Sequence, residues 1–117
     1  MKTYNVNFQV MGYYTMSNNI GIGTIKARSA EQAIELARED LTKGMFKDVE
    51  ISNVELFEDC EPKEDEDGGE KQCYNTYWSA KGKNGEYDAC GGPFAHDEQE
   101  AKELQLKDLT MPSGIAI

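Results

Sequence analysis

Residues 2–11 alternate between apolar and polar side chains: Tyr4, Val6, Phe8 and Val10 share one phase, and Asn5, Asn7 and Gln9 the other. A period of two places these sets on opposite faces of an extended chain, which predicts a half-buried strand. Ser17-Asn18-Asn19 supplies turn residues, because Asn tolerates positive φ and bonds its own backbone. A second strand is expected over residues 20–27, with Gly21, Ile25 and Ala27 on one face. Gly21 and Gly23 weaken that strand or mark a bulge. The period then lengthens. Ser29-Ala30-Glu31-Gln32 has the form of a capping box, and Ala30, Ala33, Ile34, Ala37 and Leu41 recur at helical spacing. Gly44 stands where a left-handed residue closes a helix. Val49, Ile51, Val54 and Leu56 predict a third strand, whose phase slips at Ser52-Asn53 as in a bulge.

Residues 58–71 interrupt this pattern with eight acids, two lysines and no large apolar side chain, the composition of a solvated connector. Alternation returns in residues 73–80, with Tyr74, Thr76 and Trp78 in one phase and Tyr77 in the other. Lys83-Asn84-Gly85-Glu86 is a two-residue hairpin signal, since Asn-Gly suits a type I′ turn. A short strand follows over residues 87–90 and ends at Gly91-Gly92-Pro93. Asp97-Glu98-Gln99-Glu100 is a second capping box, opening a helix through Ala101 and Leu104 toward Leu109, and Pro112 and Gly114 close the ordered part. The expectation is an α+β fold in a single domain over residues 1–117. An antiparallel sheet carries two helices on one face, in the order ββαβ, acidic connector, ββα.

The chain of 117 residues has no apolar run long enough to span a bilayer and no secretory leader at its start, which points to the cytoplasm. Cys60, Cys73 and Cys90 form an odd set without motif spacing, read as reduced thiols. Twelve Lys and Arg against 22 Asp and Glu give a formal charge of −10. Such a chain repels phosphate backbones and anionic lipid and attracts basic protein surfaces.

Candidate chemistry is sparse. His96, the single histidine, precedes the cap Asp97. A Cys90–His96 pair lacks an orienting third group, and neighbouring carboxylates oppose thiolate formation. Cys60, Cys73, Cys90 and His96 offer zinc ligand types, but at spacings of 13, 17 and 6 residues they lack the knuckle that organises a tetrahedral site. Asp65, Asp67 and Gly68 imitate part of a calcium loop, yet its first and twelfth positions fall on Lys63 and Tyr74. A non-enzymatic protein without cofactor or metal is therefore expected. A structural zinc module is kept as a third class.

Binding is the remaining class. Glu58, Asp59, Glu61, Glu64, Asp65, Glu66 and Asp67 form the leading candidate surface, with Glu31 and Glu35, four apart on one helix face, as a second patch. Trp78, within the aromatic group Tyr74, Tyr77, Trp78 and Tyr87, reads first as core packing. Exposed, it would be an interface anchor, and that hairpin would suit an accessory or regulatory interaction module.

Residues 2–57 resemble the small DpnD/PcfM-like proteins of phages and mobile elements. The likeness rests on Thr24-Ile25-Lys26-Ala27-Arg28-Ser29-Ala30-Glu31-Gln32-Ala33-Ile34-Glu35-Leu36-Ala37 and the strand bearing Val49 to Leu56. It implies a hairpin–helix–strand unit. In overall type the chain is also similar to phage-encoded anti-CRISPR inhibitors, which are small, acidic and free of cofactors. That likeness implies an inhibitor that docks on the basic surface of a host protein or ribonucleoprotein, without contacting nucleic acid or membrane itself.

Overall fold

In the computed structural model, residues 1–43, 47–58, 61–64, 69–110 and 112–116 are described. The first hairpin pairs β1 (Lys2–Gly12) with β2 (Asn18–Ala27), from Lys2 opposite Ala27 to Met11 opposite Asn18 without a slip. Helix α1 (Ala30–Lys43) follows, then β3 (Lys47–Leu56), β4 (Lys63–Glu64), β5 (Glu70–Lys81), β6 (Gly85–Gly91), β7 (Phe94–Ala95), α2 (Glu98–Leu109) and β8 (Pro112–Ala116). The main sheet is antiparallel in the order β3-β5-β6-β2-β1-β8, with β4 and β7 each pairing to β5.

The alternation along β1 does what its period requires. Val6, Phe8 and Val10 are buried and the intervening polar residues are exposed. Carried across the sheet by register, the buried phase continues through Ile25, Tyr87, Ala80 and Trp78. Ala33, Ala37 and Leu41 of α1 and Leu109 of α2 close over this same side, so both helices cover one face. Phe8 sits at the centre, edge-on to Tyr87 at 5.8 Å between ring centroids and tilted against Trp78 at 6.4 Å. Burying each large aromatic contributes about 4–6 kcal/mol, from ~150–250 Å² at ~25 cal/mol/Å². Gly23 faces the Tyr87 ring so closely that an added Cβ would stand 2.7 Å from it. Gly23 therefore marks a close approach of the ring, and Gly21 a close approach of the β6 main chain at Asp88 and Ala89. Neither marks a bulge, since the β1–β2 register passes through both without a slip.

Both helix starts are capped, though each with altered reciprocity. Ser29 Oγ accepts from the Gln32 amide at 3.2 Å, while Gln32 Oε1 accepts from the Arg28 amide at 2.7 Å. Asp97 Oδ1 accepts from the Glu100 amide at 2.8 Å, and the Glu100 carboxylate turns to His96 Nδ1 at 2.8 Å. The bulge in β3 falls where the phase slips. Ser52 is the extra residue between the pairs Ile51–Trp78 and Asn53–Tyr77, and its hydroxyl donates to the Tyr77 carbonyl at 3.1 Å.

Four expectations change. The first hairpin turns at residues 13–15 and not at Ser17-Asn18-Asn19, with Met16 at φ 57. Asp108 of α2 moves it, accepting from the Tyr14 and Thr15 amides at 2.8 and 3.1 Å and from the Thr15 hydroxyl. The β5–β6 turn is centred on Lys83-Asn84, and neither residue takes positive φ. Here α1 dictates the geometry: Asp40 Oδ2 accepts from the Asn84 amide at 2.9 Å, and Asn84 Nδ2 donates to the Leu36 carbonyl at 3.0 Å. Within residues 58–71, β4 folds back on the start of β5, pairing Lys63 with Lys71 and Glu64 with Glu70, so part of the connector is strand. Finally, the segment expected to close the ordered part is β8, laid along β1 with Ala116 opposite Gln9. Gly44 lies outside the described residues.

The second helix is held by a buried polar network. Asn19, only 1 % exposed, accepts at Oδ1 from Trp78 Nε1 (3.1 Å) and Gln105 Nε2 (2.9 Å), and its Nδ2 donates to the Val10 carbonyl at 3.1 Å. Thr76 donates to Gln105 Oε1. Asn19→Ala removes the acceptor shared by Trp78 Nε1 and Gln105 Nε2 and the donor to the Val10 carbonyl, and should cost about 2–4 kcal/mol by urea denaturation. A second expectation concerns alkaline pH. Burial, and then the Asp40 carboxylate that accepts from its hydroxyl at 2.6 Å, drive the Tyr87 phenol far above the ordinary tyrosine range. The unfolded chain then releases this proton first, so the stabilisation is complete below about pH 10 and falls as pH rises further. Denaturation midpoints should drop above that pH, and less steeply in Tyr87→Phe.

Candidate interaction surface

The strand β5 is longer than its sheet partners require, and its first residues organise one end of the molecule. Gln72 and Cys73 pair with Ala95 and Phe94 of β7, and the Phe57 amide donates to the Cys73 carbonyl at 2.9 Å. These contacts bring Phe57 and Glu58, where the acidic segment begins, to the part of β5 on which the strand leading into α2 pairs. Glu58, Glu61, Glu64 and Glu70 are exposed there, as are Asp97 and Glu98 at the helix start. Tyr74 is buried on this part of β5, and its hydroxyl is raised above the usual range by burial and then by the charges of Glu98 and Asp97 at the start of α2. Carboxylates at the first turn of α2 are also favoured by the helix dipole, so the negative end is built without cost to the helix.

Asp59, Cys60, Asp65, Glu66 and Asp67 lie outside the described residues. Glu31 and Glu35 are exposed on α1, which packs on β1, β2 and β8, whereas α2 packs on β3, β5 and β7. The two acidic patches therefore stand on different parts of the sheet. Trp78 does not belong to either. At 2 % exposure it is a core residue, held by Asn19, and it offers nothing to a partner. Tyr74 and Tyr87 are buried with it, so of the second hairpin's four aromatics only Tyr77 reaches solvent. Exposed aromatics occur instead at the first hairpin's tip, where Tyr13 and Tyr14 meet edge-on at 5.1 Å and Lys107 lies 4.2 Å from the Tyr14 ring centre. Met16 is exposed beside them. The Tyr13-Tyr14 dipeptide and Met16 carried no periodic signal that could have marked them.

Two further features were not visible in the sequence. A cavity of about 360 Å³ opens between β3 and α2, bordered by Ser52, Val54, Gln99 and Lys102, adjoining the acidic end through Glu98. On the face away from both helices, Ile20, Cys90 and Tyr77 fall on one row across β2, β6 and β5. Cys73 is buried in its strand pairing and Cys90 is half-buried on that row, and among the described residues no three His, Cys, Asp or Glu side chains converge as metal ligands. Among the same residues, no helix is long and apolar enough to cross a membrane. No family model, curated protein or solved structure matches the chain.

Burial, then the negative charge of Glu55, raises the Cys90 thiol, while a hydrogen bond with Tyr77 offsets part of this. Cys90 should accordingly react with iodoacetamide at pH 8 more slowly than a free thiol, and Glu55→Gln should accelerate it. Mass-spectrometric alkylation rates measure both.

Proposed function

We propose that this chain is a non-enzymatic inhibitor that occupies the cationic groove of a nucleic-acid-binding protein. The supporting observation is that Phe57, just before the acidic segment, and β7, which leads to Asp97 and Glu98, flank the same residue, Cys73 of β5. Carboxylates on an extended surface can take the places of phosphates against Lys and Arg, since charge-assisted hydrogen bonds to either anion share geometry. A formal charge of −10 steers the chain toward such a groove and away from nucleic acid itself. Its likeness in type to phage-encoded anti-CRISPR proteins makes a host defence nuclease complex the target class, engaged in the host cytoplasm and blocked from binding nucleic acid.

A second reading is favoured by the exposed tip at Tyr13, Tyr14 and Met16. In it the chain is an accessory module whose interface is aromatic and apolar, moved from the second hairpin to the first. Ionic strength separates the two, because exposed charge pairs are screened over about 8–10 Å at 0.1–0.15 M salt and apolar contacts are not.

Reversing Glu58, Glu61, Glu64 and Asp67 to Lys should abolish both inhibition and binding to a CRISPR effector, measured by nuclease assay and calorimetry. The wild-type affinity should fall steeply between 50 and 500 mM salt, on the order of that seen for other charge-led complexes. Undiminished inhibition by the reversed chain, with loss on Tyr14→Ala, would transfer the function to the hairpin tip.

A further inference from the structure

Strand β1 is paired along its whole length on one side only. On that side β2 runs from residue 27 to residue 18, opposite residues 2 to 11. On the other side β8 reaches only from Gly12 to Gln9. Among the described residues, the backbone of residues 3–7 has no neighbouring strand there. A cavity of about 240 Å³ occupies the place, bordered by Tyr4, Asn5, Val6 and Asn7 of β1 and by Ala33 and Ile34 of α1. Successive side chains of a strand point to opposite faces, so four residues in a row can border one cavity only across the strand's edge. The cavity is therefore an edge groove, roofed by the first turns of α1.

The groove differs from the sheet's other margin. Strand β3 is broken by two register shifts, which blunt an edge against further pairing. The free part of β1 is regular, lacks proline and continues the line on which β8 already pairs. Its inner wall is Tyr4, Val6, Ala33 and Ile34, and Ile34 is 37 % exposed. The volume is below the ~300–1,000 Å³ of small-molecule sites and suits one or two aliphatic side chains. On α1, Glu31 lies one turn before Ile34 on the same side, and Glu35 follows directly; both are exposed.

We propose that residues 3–7 of β1 and the first turns of α1 form a strand-addition site for an extended segment of a partner protein. That segment places two alternate apolar side chains in the groove and flanks them with Lys or Arg directed at Glu31 and Glu35. Main-chain hydrogen bonds to the free edge supply affinity, and the groove and the acids supply selection. A basic segment is preferred over a second copy, because two chains of charge −10 repel each other.

The probe is a blocked heptapeptide, Lys-Lys-Val-Thr-Val-Lys-Lys, titrated into ¹⁵N-labelled protein beside a counterpart with Glu in place of Lys. Shift changes and slowed exchange should be confined to alternate amides of residues 3–7 and to residues 30–34. The acidic counterpart should bind at least about tenfold more weakly. Ile34→Asp, at an exposed position, should weaken binding to a similar degree, and Glu31→Lys with Glu35→Lys should invert the preference between the peptides. Reversal of the acids in residues 58–67 should leave the peptide affinity within about twofold, which separates this site from the acidic end. The proposal is overturned by absence of peptide-dependent shifts in residues 3–7, by unchanged binding in both α1 variants, or by loss of binding in the 58–67 variant. It is equally overturned if the peptide-free protein sediments as two chains with residues 3–7 already protected, the signature of a second copy in the groove.

Discussion

Asn19 is the residue through which the sheet and the second helix are made one body. Its carbonyl oxygen accepts from an indole on β5 and an amide on α2, and its own amide reaches the main chain of β1. A buried acceptor with two donors aimed at it admits one arrangement of the three elements, because any slip strands polar atoms away from water. Apolar packing alone would tolerate several orientations of α2, whose buried residues include Gln105 and Asp108 beside Ala101 and Leu109. The network supplies the uniqueness that the helix's weak apolar stripe does not. It also sets the position of the first turn of α2, and hence of Asp97 and Glu98, against the sheet.

The acids of this chain divide into two populations with different physics. Asp40 and Asp108 are buried and spend their charge on backbone amides, the first at the β5–β6 turn and the second at the β1–β2 turn. Each lets a helix dictate a hairpin, which is why both turns depart from local rules. Among the described residues the other acids are exposed or half-buried, where water and counterions screen their mutual repulsion. Several of these, Glu58, Glu61, Glu64 and Glu70 with Asp97 and Glu98, lie where β5 overruns the sheet.

What could be read from the sequence follows the range of the interactions involved. The strand alternation of β1, the Ser29 and Asp97 caps and the bulge at Ser52 depend on neighbours within a few residues, and all are visible in the order of side chains. The core role of Trp78 follows from its phase. The true turn positions depend on Asp108 and Asp40, which are 93 and 44 residues away from the amides they bind. Asn18 and Asn19 are turn formers by type, and nothing local says that Asn19 points into the core. β8 was missed because Pro112 and Gly114 are strand-averse residues, tolerated here at an edge. Of the candidate surface, the acids were legible as composition. Their placement on the part of β5 that also pairs with β7 was not, since that pairing carries no sequence mark.

The order β3-β5-β6-β2-β1-β8 has one more implication. Strands from the later part of the chain are wedged between β3 and β2, which come from the earlier part. The hairpin–helix–strand unit over residues 2–57 thus encloses a gap that only residues 70–91 can fill. Until they arrive, Phe8, Ile25 and the apolar side of α1 lack their cover. Folding must therefore wait on distant closures, whose entropy is lost before any contact rewards it. In a cell, a nascent chain of this kind stays sticky until nearly all of it has left the ribosome, and a cut anywhere between the two halves releases fragments that need each other.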